Sequence, residues 1–224
     1  MGLKTSKRST THLKFTALMI IVLIMGASPL LAQDPAEIAD LVDQRDYEAL
    51  KALGPEILPD LAALYEERRQ DPTRQHVAWA WYQLGWQSPE AVEALLPDVE
   101  ADGTPMGLRI SAQYALGRVS NDDIVVKTLI RNMRRGNTPR IRDKAACALA
   151  YDQIHLSEQQ KVQLFRALVA SLDDPKPDVR RIAMQALKIH TGQRRGYGFQ
   201  KPRAKRLEAI ERWHRWLREY EEQL

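Results

Sequence analysis

Beyond residue 57 the apolar positions fall into runs with helical spacing, and the runs alternate in pairs. The first members are LPDLAALYEERR, PEAVEALLPDVEA, DDIVVKTLIRNMRR and SEQQKVQLFRALVASL. Second members follow as DPTRQHVAWAWYQLG, GTPMGLRISAQYALG, GNTPRIRDKAACALA and DPKPDVRRIAMQALK. These align on Leu84, Leu116, Leu149 and Leu187, spaced 32, 33 and 38 residues apart. Four residues before each leucine is an alanine: Ala80, Ala112, Ala145 and Ala183. Seven residues before it stand Val77, Arg109, Arg142 and Arg180. Such offsets put the three positions on neighbouring parts of one helix surface. The alanine lets another helix approach closely, and the leucine fills the space beside it. Asp71-Pro72, Gly103, Gly136 and Asp174-Pro175 supply the breaks inside each pair. The pattern predicts an all-α chain in which helix–turn–helix units stack in order, an α-solenoid.

With the columns in place, LVASLDDPKPDVRRIAMQALKIHTG resembles a HEAT repeat of the short bacterial kind, with Asp at the turn and Val-Arg opening the second helix. The second and third units keep the Arg and the Ala-Leu but carry Gly103 and Gly136 where Asp174 stands. The first keeps Asp71 and has Val77 in place of the Arg. The resemblance covers about residues 58–192. It implies a right-handed α-solenoid of about four HEAT-like helix pairs, second helices lining a concave protein-binding surface, and Arg109, Arg142 and Arg180 acting as turn braces.

A stack of this kind needs covered ends. Residues 33–57 read as two short capping helices broken near Gln44-Arg45. Residues 202–224 read as a C-terminal capping helix with Leu207, Ile210, Trp213, Leu217, Tyr220 and Leu224 on one face. Glu208–Arg212 and Glu211–Arg215 are spaced for pairing on the wet side. Between the repeats and this helix lies the basic, glycine-containing stretch 193–201. Gly192 suits the end of the last repeat helix, Pro202 the start of the next, and Tyr197 and Phe199 are expected to tuck beneath. A phosphate-binding glycine loop would follow a strand, and none is predicted. Two readings stay open: a joint between helices, or an anion site made by Arg194, Arg195, Lys201, Arg203, Lys205 and Arg206.

Residues 1–32 change the meaning of the charge. A basic segment with Lys4, Lys7, Arg8 and Lys14 precedes the apolar run Phe15–Ala27 and a small-residue exit ending at Ala32. That order describes a secretory signal peptide, with an uncleaved inner-membrane anchor as the alternative. MGLKTS also fits the pattern for N-myristoylation at Gly2. Export, periplasmic or secreted, is the expectation. From Gln33 to Thr104 there are 16 acids and 5 bases, and from Pro105 onward 13 acids and 24 bases. The split suggests an anionic partner at one end or head-to-tail contact. Cys147 is the single cysteine, so no intrachain disulfide forms.

Candidate chemistry is sparse. The histidines after residue 32 have no metal-ligand spacing, and no nucleophile elbow, metalloprotease helix or nucleotide loop occurs. No catalytic residue, metal or cofactor is expected, and Cys147 reads as a small buried thiol. Trp79, Tyr82 and Trp86 form a stripe away from the Ala80–Leu84 face, with Tyr114 and Tyr151 in related positions further on. Such a stripe is either core or a partner-binding hot spot. Three functions compete: a non-enzymatic envelope scaffold for a protein partner, a binder of anionic polysaccharide or lipid head groups through the basic half, and an enzyme on a HEAT-like frame, as in bilin lyases or alkylpurine DNA glycosylases. Export argues against nucleic acid and bilin chemistry, which leaves the scaffold as the expectation and the anionic-polymer binder as its alternative.

Overall fold

The computed structural model describes residues 1–2 and 34–224; the leader expected over 1–32 lies almost wholly outside the described residues, as does the proposed cleavage point. Among the described residues every regular element is helical, with eleven α-helices and two short 3-10 turns. They are α1 Pro35–Gln44, α2 Tyr47–Leu53, α3 Leu58–Glu67, α4 Arg74–Leu84, α5 Pro89–Glu100, α6 Met106–Val119, α7 Asp123–Arg135, α8 Pro139–Tyr151, α9 Glu158–Ala170, α10 Pro177–Thr191 and α11 Arg203–Glu221. None is long and apolar enough to cross a membrane.

Local chemistry sets these limits. Ser88 and Thr138 accept hydrogen bonds from the N–H groups of Ala91 and Ile141 at the starts of α5 and α8. Ser157 and Gln160 bond reciprocally at the start of α9, which satisfies donors a helix start otherwise leaves open. Gly192 ends α10 at φ 71°, a left-handed turn that suits glycine. At the other end of the chain Arg45 adopts φ 60° after α1 and makes the predicted break before α2.

Helices α4, α6, α8 and α10 pack successively against one another, and α3, α5, α7, α9 and α11 do likewise. Ala80, Ala112, Ala145 and Ala183 are all fully buried between neighbours. Gly117 serves the same end: a Cβ there would lie 3.2 Å from the Ala148 carbonyl oxygen and 2.9 Å from Gln153 Nε2. Small residues thus let α6 settle on α8.

Arginines that are buried, or half-buried in the case of Arg142, tie the turns. Arg109 donates to the Val99 carbonyl at 3.0 Å, to Asp102 at 2.8 Å and to Asn132 at 3.2 Å. Arg142 donates to the Gly136 carbonyl at 2.9 Å and reaches Asp178 on α10 at 2.6 Å. Arg180 donates to the carbonyls of Asp174 and Pro175, at 2.8 and 2.9 Å. Where the first unit carries Val77, Arg74 takes over from one turn earlier, within 3.3 Å of Glu66 and 3.1 Å of Asp98, and 4.0 Å from the Tyr65 ring centre. Asn132 adds a polar hub that the pattern did not flag. Its amide donates to the Val99 carbonyl at 2.8 Å and to Gln113 at 3.1 Å, joining α5, α6 and α7.

The last helix departs from its expected stripe. Ile210, Trp213 and Leu217 are buried and Tyr220 half-buried, but Leu207 is 41% and Leu224 49% exposed. Ala209 is buried as well, and Trp216 meets α9 instead, stacking on Tyr220 and tilting against Phe165. The helix-surface ion pairs also differ, since Glu208 pairs with Lys205 and Glu211 with Arg218. Arg212 is drawn away to donate to the Arg195 carbonyl at 2.8 Å.

Candidate functional site

The row α4, α6, α8 and α10 turns one face inward against the α3–α11 row and leaves another that no described residue covers. Helical spacing places Gln75, Trp79 and Tyr82 on that open face from α4, Ser111, Tyr114 and Arg118 from α6. Helix α8 adds Arg140, Asp143, Lys144, Cys147 and Tyr151, and α10 adds Arg181, Gln185 and Lys188.

Three of the five aromatic candidates come together. Trp79 stacks on Tyr82 with ring centres 4.5 Å apart, and Tyr114 meets them edge-on at 6.4 and 5.9 Å. All three are half-buried. Tyr82 and Tyr114 rest on the core, whereas Trp79 is packed on its aromatic neighbours outside it. The sequence left the stripe open between core and surface, and the rings occupy the boundary. The fully buried ring of this helix is Trp81, which the stripe did not include. Trp86 is half-buried against the core, away from the cluster. Tyr151 is 60% exposed, the most exposed of the five.

Beneath the rings is a charged pair. Arg118 lies 4.9 Å from the Tyr82 ring centre and 3.6 Å from Asp152, whose side chain retains only 3% exposure. Burial pushes the Asp152 carboxyl up to about 6, with Arg118 and the Tyr82 hydroxyl pulling the other way. Burial also raises the hydroxyls of Tyr82 and Tyr114 above the ordinary tyrosine range, so both stay neutral donors.

Cys147 corrects an expectation. It is half-exposed, not sealed in the core, and lines a cavity of about 80 Å³ between α8 and α10 with Ala146, Tyr151, Ile182, Gln185 and Ile189. Burial and the nearby Asp143 carboxylate raise its thiol above the usual range, which keeps it protonated and weakly nucleophilic. The helical run of small residues hid this opening, because only the fold shows that α10 leaves a gap there. On the opposite row a larger groove of about 410 Å³ runs between α7 and α9, with Val126, Ile130 and Ala167 below Lys127 and Arg166.

The basic strip is largely committed to internal contacts. Arg195, at φ 47°, holds its guanidinium 5.3 and 5.2 Å from the ring centres of Trp213 and Trp216. Lys201 donates to the Gly196 carbonyl at 3.2 Å, and Arg206 to the Lys201 carbonyl at 2.8 Å. Arg203 pairs with Asp173 at 2.7 Å and Lys205 with Glu208 at 2.9 Å. Arg194 is exposed and makes no ion pair with another described residue. Tyr197 is buried with its hydroxyl donating to the Leu172 carbonyl, and Phe199 is half-buried. Its carbonyl accepts from Arg180 at 3.2 Å. These contacts fasten the strip between α10 and α11.

Three of the histidines are engaged in backbone or side-chain contacts, and His214 is exposed on α11. His155 meets the Gly85 carbonyl at 2.9 Å, His190 the Leu149 carbonyl at 2.8 Å, and His76 the Arg45 guanidinium at 3.1 Å. No protein-family model matches the chain, and no curated protein matches it.

Proposed function

We propose that this protein is a non-enzymatic interaction scaffold of the cell envelope, an α-solenoid of HEAT-like helix pairs that holds a protein partner on the open face of α4, α6, α8 and α10. Support for the solenoid comes from the two successive rows of helices, the buried alanine at one position in each second helix, and the arginines tying each turn. Support for export comes from the order of basic, apolar and small residues over 1–32.

One observation carries the binding reading. Trp79 stands outside the core, stacked on Tyr82 and flanked by Tyr114. Rigid aromatic groups at a solvent boundary give large contact area for little lost side-chain freedom, which is why they dominate binding hot spots. The neighbouring cavity at Cys147 extends this surface with a recess for an apolar side chain.

A photo-crosslinking amino acid placed at Gln83 or Gln185, on or beside this face, tests the reading in living cells. A discrete protein adduct is expected from both sites and from neither Glu93 nor Lys127 on the opposite row. Adducts from Lys127 alone would move the interaction surface to the α7–α9 groove and defeat the proposal.

A further inference from the structure

The open face is not uniform along its length, and the change tells what chemistry fits it. Its α4 portion presents Gln75, Trp79, Tyr82 and Gln83, with no charged side chain. Of the two arginines on α6, Arg109 is buried, and Arg118, the one on this face, is already tied to Asp152. From α8 onward the face turns cationic. Arg140, Lys144, Arg181 and Lys188 lie on it, with Asp143 as the carboxylate set among them. Lys144 and Arg181 share that carboxylate at 3.5 and 3.8 Å. Asp178 is engaged by Arg142 at 2.6 Å and offers little further neutralisation. Arg140 and Lys188 are exposed. Between these charges the Cys147 cavity opens over Ala146, Ile182 and Ile189.

We propose that the occupant of this face is an acidic linear segment of another polypeptide, with an aromatic or aliphatic anchor at its α4 end and carboxylates at its α8–α10 end. The inference rests on the binding face proposed above. Like charges on a cationic surface would repel a basic segment, and a neutral one would leave the cations without exchange for their lost water. Length follows from helix spacing. Neighbouring packed helices lie ~8–10 Å apart, so crossing from α4 to α10 covers roughly 25–30 Å. An extended chain advances ~3.3 Å per residue, which makes the recognised segment about eight or nine residues long. The recess at Cys147, between α8 and α10, takes one small apolar side chain in the last third of that span.

The experiment selects displayed random dodecapeptides on the full chain, held in solution with a mild detergent, and measures the winners by fluorescence anisotropy. Selected peptides should carry an aromatic or aliphatic residue followed within about eight positions by at least two Asp or Glu. Their affinity should fall at least tenfold for Arg181→Glu/Lys188→Glu and for Trp79→Ser, and fall steeply with salt because exposed charges are screened over ~8 Å at physiological ionic strength. Circular dichroism of both variants checks that the fold is kept. Peptides without acids, lost with Trp79→Ser but indifferent to the charge reversal, would overturn the acidic-segment inference while leaving the binding face intact. Peptides indifferent to every variant would overturn both. Displacement of the peptides by a second copy of the chain, through its acidic α1–α3 end, would assign the face to self-association and equally overturn the proposal.

Discussion

Burial sets the behaviour of Asp152. Its carboxyl is raised to about 6 inside the folded chain, against ~3.9 for an unfolded aspartate. A group raised on folding stabilises the native state below its unfolded pKa, and that contribution is lost as pH rises through its folded value. The chain should therefore lose stability relative to Asp152→Asn between about pH 4 and pH 7, by on the order of 3 kcal/mol. Urea unfolding of both proteins across this range measures the difference, and a gap that does not change with pH would contradict it. The hub at Asn132 makes a second prediction. Arg109 and Asn132 bond at 3.2 Å in a site where Arg109 is only 2% exposed. Arg109→Leu should cost about 2–3 kcal/mol through lost charged hydrogen bonds, and the double variant with Asn132→Ala should show a coupling of ~0.5–3 kcal/mol. Strictly additive losses would show that the two side chains act separately.

Helix limits were legible because residues that break helices announce themselves. Asp71-Pro72, Gly103, Gly136 and Asp174-Pro175 all fall between helices, and Gly192 and Pro202 flank the joint before α11. The face buried between helices was legible as well, since alanine at a fixed offset from leucine has few other uses. What escaped notice depends on neighbours remote in sequence. Arg74 and Asn132 carry no mark in the sequence, and only the fold brings Glu66, Asp98 and Arg109 to them. Leu207 fits the apolar period of α11, but the helix meets α9 further along, and Trp216 takes the contact instead. The aromatic site was half legible: the types and spacing were evident, whereas the union of Trp79, Tyr82 and Tyr114 depended on how α6 settles on α4. That settling rests on small side chains. Ala145→Leu inserts extra carbons where exposure is zero and should cost ~1–3 kcal/mol. An unchanged denaturant midpoint would show that α8 has room there.

Across the whole molecule, acids gather in the first helices and bases in the later ones, and the two halves meet on the open face as an uncharged aromatic end and a cationic end. The arginines that tie the turns account for part of the basic surplus, and the internal pairs of the strip 193–206 for more. The cations left on α8 and α10 have no such structural duty beyond Asp143. The proposed function follows from this remainder: two rows of packed helices carry a surface whose exposed chemistry exceeds what the fold requires. Cys147 offers the most direct test, because it is the single cysteine of the chain and lies in the cavity on that surface. Its alkylation rate can be compared between the purified chain and the chain in its native membrane or envelope fraction, with Cys147→Ser/Lys127→Cys as the reporter for the opposite row. The account predicts that native surroundings slow alkylation at Cys147 several-fold and leave the Lys127 position unchanged; equal rates at Cys147 in both settings, with slowing at the Lys127 position, would contradict it.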